Sequence, residues 1–237
     1  MRTFAILGIV LALSSGATAS QSDEQVRATI EKALEDAEIK GLAVSVQGKT
    51  VSLKGRVRNV FDKEQALELA LAEASIEEVD ADIEVSQAES DRELGEQVVK
   101  ELRKYSRFTV FDDASAYVEG GRVVLFGWVT EPFKKEELQK RLRDVIGIQE
   151  FSNDIEVLPT SQSDERLRQA LWNRLYRDPT FSDFASMTIP PIHIIVSRSR
   201  VILTGVVNNQ LMKQKAESII RQTPGVLSVE SRLRIGS

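Results

Sequence analysis

Val201-Ile202-Leu203-Thr204-Gly205-Val206-Val207 decides the fold. The stretch is rich in β-branched residues, alternates, and contains no proline, so it predicts a β-strand. Side chains alternate across a strand, which puts Val201, Leu203, Gly205 and Val207 on one face. That face is expected to be buried, with the glycine admitting the close approach of another backbone, expected to be a helix. The pattern occurs twice earlier, as Val51-Ser52-Leu53-Lys54-Gly55-Arg56-Val57 and Val123-Val124-Leu125-Phe126-Gly127-Trp128-Val129. Each copy has the form Val-x-Leu-x-Gly-x-Val. Downstream, the three copies align without a gap: Ala66, Leu138 and Ala216 correspond, as do Ile76, Ile148 and Val226, and Ile83, Ile155 and Leu233. Apolar matches at fixed offsets over this length identify a threefold internal repeat.

Upstream of each glycine strand the pattern also recurs. Asp23, Asp91 and Asp164 are expected N-caps. They precede apolar residues at helical spacing: Val26, Ile30 and Leu34; Leu94, Val98 and Leu102; Leu167, Leu171 and Leu175. A short strand follows at 42–47, 114–119 and 192–197. The two-residue turns Gly48-Lys49, Gly120-Gly121 and Arg198-Ser199 then make hairpins with the glycine strands. A second helix is expected at 60–74, 131–145 and 209–222, with an alanine stripe (Ala66, Ala70, Ala74) in the first copy. Closing strands are expected at 79–85, 151–157 and 229–235. A strand–helix–strand link of this length implies parallel pairing by a right-handed crossover. The fold class is therefore α+β: three tandem αββαβ two-layer domains, each a three-stranded mixed sheet with two helices on one face. The boundaries are 22–87, 90–159 and 163–236. Domains this small bury only about 60% of their unfolded surface.

The N-terminus has the features of an export signal: Arg2, an apolar run from Phe4 to Leu13, and Ala17-Thr18-Ala19 as the cleavage site. This assigns residues 1–19 to a signal peptide. No later run is long and apolar enough to cross a bilayer. The chain contains no cysteine, which excludes a disulfide framework and a lipid-bearing cysteine.

Charge is uneven along the repeats. Lys plus Arg against Asp plus Glu is 8 to 15 over 22–87, 11 to 15 over 88–162, and 11 to 6 over 163–237. The last repeat is basic and the first acidic, which suits attraction between them or contact of the last with an anionic surface.

The sheet face without helices is the candidate binding surface. In the first repeat it carries Ser52, Lys54 and Arg56 beside Asp80, Asp82 and Glu84, a solvated ladder of ion pairs. In the second it carries Val124, Phe126 and Trp128, an apolar row expected to pack on another repeat or on a partner. In the third, His193, Ile195, Ile202, Thr204 and Val206 stand beside Arg232 and Arg234, and Arg198 and Arg200 flank the hairpin turn. An apolar strip with an arginine rim suits anionic lipid headgroups or an acidic protein surface. The insertion around Asp178-Pro179-Thr180-Phe181 in the third copy is either a functional loop or a cover for the domain end.

Catalytic and metal chemistry have no support in the sequence. The single histidine, His193, lies in an apolar strand and is expected to be structural. There is no Cys/His cluster, phosphate loop or nucleophile elbow. Export and the negative total argue against nucleic acid.

The αββαβ unit resembles the BON domain, a bacterial envelope module. The resemblance rests on Val-x-Leu-x-Gly-x-Val, the helix after it, and the closing Pro224-Gly225-Val226-Leu227-Ser228-Val229 with Leu233 and Ile235. It covers nearly all of the chain after the signal, with Ser75 in the first copy where the others have glycine. The resemblance implies a periplasmic protein without enzymatic activity or cofactor. It further implies binding to a phospholipid membrane surface, peripherally, or to an envelope protein, in osmotic or envelope stress. Under that reading Arg198, Arg200, Arg232, Arg234, Phe126 and Trp128 are the candidate contacts, and Gly55, Gly127 and Gly205 define the fold. A periplasmic interaction or chaperone-like scaffold is the alternative.

Overall fold

A computed structural model describes residues 21–187 and 190–236. The signal-peptide assignment, residues 1–19, lies outside these residues. In chain order the elements are α1 (Gln21–Asp36), β1 (Leu42–Gln47), β2 (Thr50–Val57), α2 (Val60–Leu71) and β3 (Glu78–Val85). The second repeat comprises α3 (Asp91–Arg103), β4 (Asp113–Glu119), β5 (Arg122–Val129), α4 (Pro132–Arg141) and β6 (Glu150–Val157). The third has α5 (Gln162–Tyr176), β7 (Ile192–Ser197), β8 (Arg200–Val207), α6 (Gln210–Arg221), β9 (Ser228–Ser231) and β10 (Arg234–Ile235).

Each glycine strand is central in its sheet, in the orders β1-β2-β3 and β4-β5-β6, with β8 between β7 and the β9/β10 pair in the third. The hairpins are antiparallel and the closing strands β6, β9 and β10 run parallel to their central strands. This is the α+β, three-unit architecture read from the repeat. The last strand of the third copy is split. Arg232 N–H bonds Leu203 O at 2.8 Å, and Leu233 turns into the core between β9 and β10. The α2 helix ends at Leu71, short of the expected 74, so Ala74 is exposed while Ala66 and Ala70 are buried.

The chain divides into two compact units. Among the described residues, one holds 21–56 with 64–83; the other holds 57–63, 84–187 and 190–236. In the first unit, Ile30, Leu34, Val51 and Leu53 are buried beside Ala66 and Ala70, and Lys54 pairs with Asp82 at 3.1 Å on the outer face. In the second, the short segment 57–63 is bound into the core of the second repeat. Asn59 is fully buried, and its amide donates to the carbonyls of Arg143 (2.6 Å) and Val145 (2.9 Å). Phe61 packs 4.8 Å from the Phe151 ring.

The repeat glycines have positive φ: +144° at Gly55, +123° at Gly127 and +106° at Gly205. A Cβ on each would lie 2.0, 2.1 and 2.0 Å from the carbonyl oxygens of Gly41, Asp113 and Pro191. Those residues belong to the neighbouring hairpin strand or its entry. The backbone that approaches the glycine is thus a strand and not the helix expected from sequence. The next residue then donates to the same carbonyl, Val206 N–H to Pro191 O at 2.9 Å and Arg56 N–H to Gly41 O at 3.1 Å.

The aspartates expected as N-caps have a different role. Ser90 and Ser161 cap α3 and α5. Asp91 and Asp164, one and three residues further on, reach across to the hairpin turns. Asp91 accepts from Gly120 N–H (2.7 Å) and Gly121 N–H (3.0 Å), and Asp164 from Arg198 N–H (2.8 Å) and Ser199 N–H (2.9 Å). Both residues of each turn have positive φ, including Arg198 (+52°) and Ser199 (+61°). Such a conformation costs a side-chain-bearing residue about 1–2 kcal/mol, and the two charge-assisted bonds offset it. In the first repeat Asp23 also stands in the first helical turn.

The inserted loop of the third copy is a cover. Phe181 is fully buried in the core, Phe184 packs beside it, and Lys215 holds Asp178 at 2.6 Å. Between α3 and β4, Asp112 is fully buried and accepts from Lys134 Nζ (2.6 Å), Thr109 and Thr130. Burial pushes the Asp112 carboxyl up, but the bonds from Lys134, Thr109 and Thr130 outweigh it and hold the group below the usual range.

Gly205→Ala is expected to lose about 2–4 kcal/mol in urea unfolding, from backbone strain and overlap with Pro191 O. Gly48→Ala, with open space around it, is expected to lose only about 1 kcal/mol. Lys134→Met leaves a buried carboxylate unpaired and is expected to cost about 3–5 kcal/mol at neutral pH. Asp112 has a depressed folded pKa, so its contribution is full above the ordinary aspartate value of about 4. It is lost as pH falls through the lower folded value, which urea midpoints measured from pH 7 down to pH 2 would record.

Candidate functional site

The outer faces of the second and third sheets face one cleft of about 700 Å³ in the second unit. The alternation of β5 places Phe126 and Trp128 on this side, and the alternation of β8 places Thr204 and Val206 there. Trp128 is half-buried because Arg232 stacks on it, the guanidinium carbon 5.0 Å from the ring centroid. Arg232 also donates to Glu230 at 2.5 Å. The expected packing of the apolar row on another repeat is therefore found at Trp128, with a cation as the partner surface. Phe126 remains 45% exposed, and Tyr117 on the adjoining strand 53% exposed.

The four arginines of the candidate rim stand in three settings. Arg232 is engaged with Trp128 and Glu230. Arg234 is exposed on β10, opposite Val206. Arg198 and Arg200 are exposed at the tip of the third hairpin. Arg200 and Val206 are six residues apart on β8, so the two ends are separated by roughly 20 Å at the usual strand rise. The tip arginines and Arg234 thus form no single patch.

Between them the strip is more enclosed than its sequence suggests. Ile195 is 1% exposed and Thr204 6% exposed. His193 is paired across the hairpin with Thr204. The enclosed Nδ1 of His193 and Oγ1 of Thr204 have no hydrogen-bond partner among the described residues. Among the described residues no group of three or more His, Cys, Asp or Glu side chains could hold a metal ion. The cleft's charged lining is three guanidiniums, Arg103, Arg232 and Arg234, against the carboxylate of Asp113. Its chemistry is that of a cationic, partly aromatic surface.

Sequence reasoning did not find the engagement of Arg232 by Trp128, because the two residues are a full repeat apart. It also did not find the burial of Asn59 and Phe61 in the second repeat, where an asparagine and an aromatic after a strand read as ordinary helix-start residues. The interaction between Trp128 and Arg232 is measurable. Trp128→Ala is expected to cost about 1–2 kcal/mol in urea unfolding. A double-mutant cycle with Arg232→Ala should return a coupling of about 0.5–1 kcal/mol.

No described helix is long and apolar enough to cross a membrane. No curated protein matches the chain. Among solved structures it is similar to the C-terminal domain of CdsD, the structural protein of the type III secretion system of Chlamydia trachomatis. That match has 16% identity over 89% of this chain and 96% of that one, with a TM-score of 0.26. It is also similar to a periplasmic domain of the type III secretion inner-membrane protein PrgH from S. typhimurium, at 12% identity over 85% of this chain and 98% of that one, TM-score 0.21. At these scores the likenesses carry no argument about position or partner. The BON domain, by contrast, matches three times in tandem, at residues 22–87, 90–159 and 163–237. With the repeated αββαβ unit around each Val-x-Leu-x-Gly-x-Val strand, the chain belongs to the BON domain family.

Proposed function

We propose that this is a non-enzymatic protein of the bacterial envelope, exported to the periplasm, that attaches peripherally to anionic phospholipid surfaces or envelope components through its third repeat. The observation that carries the reading is the exposed pair Arg198 and Arg200 on a hairpin tip, in the repeat where basic residues outnumber acidic ones 11 to 6. The tip is stiff, because Asp164 holds both turn amides. A stiff basic tip loses little conformational entropy on contact with headgroups, and each cation near an anionic leaflet is worth about 1 kcal/mol. Membership of the BON family supports the envelope setting, and a role in osmotic or envelope stress is part of the same proposal. Nucleic acid is not a partner under this reading, and no cofactor is required.

A second reading, a periplasmic interaction scaffold, is favoured by one observation: Phe126 and Tyr117 are large, exposed and on neighbouring strands of the second sheet. Under that reading the outer face of the second repeat is the contact.

Vesicle flotation separates the two. The protein without residues 1–19 is expected to float with phosphatidylglycerol vesicles and not with phosphatidylcholine vesicles, less so as salt rises. Arg198→Glu with Arg200→Glu should abolish flotation while circular dichroism remains unchanged. Failure of the folded wild-type protein on both vesicle types would remove the lipid reading.

A further inference from the structure

The three repeats differ at the outer edge of the first hairpin strand, and the difference is chemical. In the third repeat that edge is closed at three consecutive outward-facing positions of β7. Tyr176 Oη donates to Ile192 O. Ile194 N–H donates to the carbonyl of Val110, from the loop before β4, at 2.7 Å. Arg168 Nη2 donates to Val196 O at 2.8 Å. Val110 is buried in the same core as Ile192, Ile194 and Val196. The turn at Val110 and Phe111 thus puts a β-branched side chain into the core beside β7 and one carbonyl onto its edge.

In the second repeat the equivalent positions are Ala114, Ala116 and Val118 on β4. The register is the same, since Gly127 pairs with Ala114 as Gly205 pairs with Ile192. Counting from Asp164 and Asp91, the closing residues Arg168 and Tyr176 correspond to Gly95 and Arg103, and Trp172 to Val99. The first repeat has Arg27 where the second has Gly95. A glycine inside a helix costs about 1 kcal/mol relative to alanine, and here it leaves space. Between α3 and β4 lies an open groove of about 570 Å³, with Gly95, Val99, Ala116 and Val118 in its walls. Ala116 and Val118 are half-buried, whereas Ile194 and Val196 are fully buried. No described residue pairs with the outward Ala114 O, Ala116 N–H or Val118 O. An open strand edge beside an apolar groove takes an added strand. Lys100 and Arg103 line the same groove, and neither has a carboxylate within salt-bridge distance among the described residues.

We propose that the α3–β4 groove of the second repeat is a docking site for an extended peptide segment of a partner protein. The segment pairs with the edge of β4, places an apolar side chain over Gly95, and directs acidic side chains toward Lys100 and Arg103. The chain's own filler supplies the apolar part of this chemistry in Val110, within 108–113, Phe-Thr-Val-Phe-Asp-Asp, where Asp112 is held by Lys134. The site is independent of attachment to lipid, because none of its residues lies on the third hairpin tip.

The test uses the protein without residues 1–19 and a fluorescein-labelled peptide of sequence Phe-Thr-Val-Phe-Asp-Asp. The expected result is a saturable rise in anisotropy, with the Ala116 amide resonance shifting on titration. Gly95→Arg restores the side chain that closes the third repeat's edge, and is expected to weaken binding about tenfold or more through loss of a hydrogen bond and an apolar contact. A Cβ at Gly95 meets only Val118 Cγ2, at 3.9 Å, so the variant has room to fold. Gly95→Leu serves as a second blocking variant if the arginine disturbs the melt. No saturable binding to wild type, or equal binding by a folded blocking variant, would overturn the proposal. Concentration-dependent dimerisation of the wild type that Gly95→Arg abolishes would assign the groove to a second copy, and would also overturn it.

Discussion

At its glycine, the central strand of each sheet lies directly against the start of its hairpin partner. At Gly55, Gly127 and Gly205 there is no room for a Cβ, since one would stand 2.0–2.1 Å from a carbonyl oxygen. The positive φ at these residues lets the strand bend while the next N–H still reaches that oxygen, at 2.9 Å in the third repeat. The bend fixes where the hairpin begins and hence which side chains of β1, β4 and β7 face the helices. The buried pairs Val51 and Leu53, Val123 and Leu125, and Val201 and Leu203 all depend on that register. A shift of one residue would move each set to the outer face.

A second constraint holds the other end of the hairpin. Asp91 and Asp164 each accept from both amides of a turn whose residues have positive φ. For Asp91 the bonds from Gly120 and Gly121 hold the carboxyl below its usual range. The helix and hairpin of these two units are thus tied by one carboxylate. The third repeat can then place Arg198 and Ser199 where the second uses glycines, which leaves an arginine on a rigid tip. The residue that tolerates the strain and the residue proposed to meet an anionic surface are the same.

The repeats have one framework and differ in how their surfaces are completed. In the third, Tyr176, Arg168 and Val110 close the hairpin edge. In the second, Gly95 and the small side chains of Ala114 and Ala116 leave it open. The outer face diverges in the same manner. Lys54 with Asp82 makes a solvated ladder in the first repeat, while Trp128 in the second receives Arg232 from the third. Duplicated modules keep backbone geometry because it is cooperative, and surface side chains are free to take separate roles.

The spacing of the apolar residues and the recurring Val-x-Leu-x-Gly-x-Val by themselves determined the number of units, the order of elements, the hairpin turns and the helix-facing core. Those features are set by side-chain periodicity and local backbone preference, which act over neighbouring residues. The partner of each glycine, the aspartate clamp across the turn, the burial of Asn59 and the stacking of Arg232 on Trp128 were decided only in three dimensions. Each joins residues distant along the chain, through contacts whose geometry depends on how elements pack. A glycine in sequence marks that something must come close. Only the folded backbone determines that a carbonyl of the neighbouring strand, and not a helix, occupies the space.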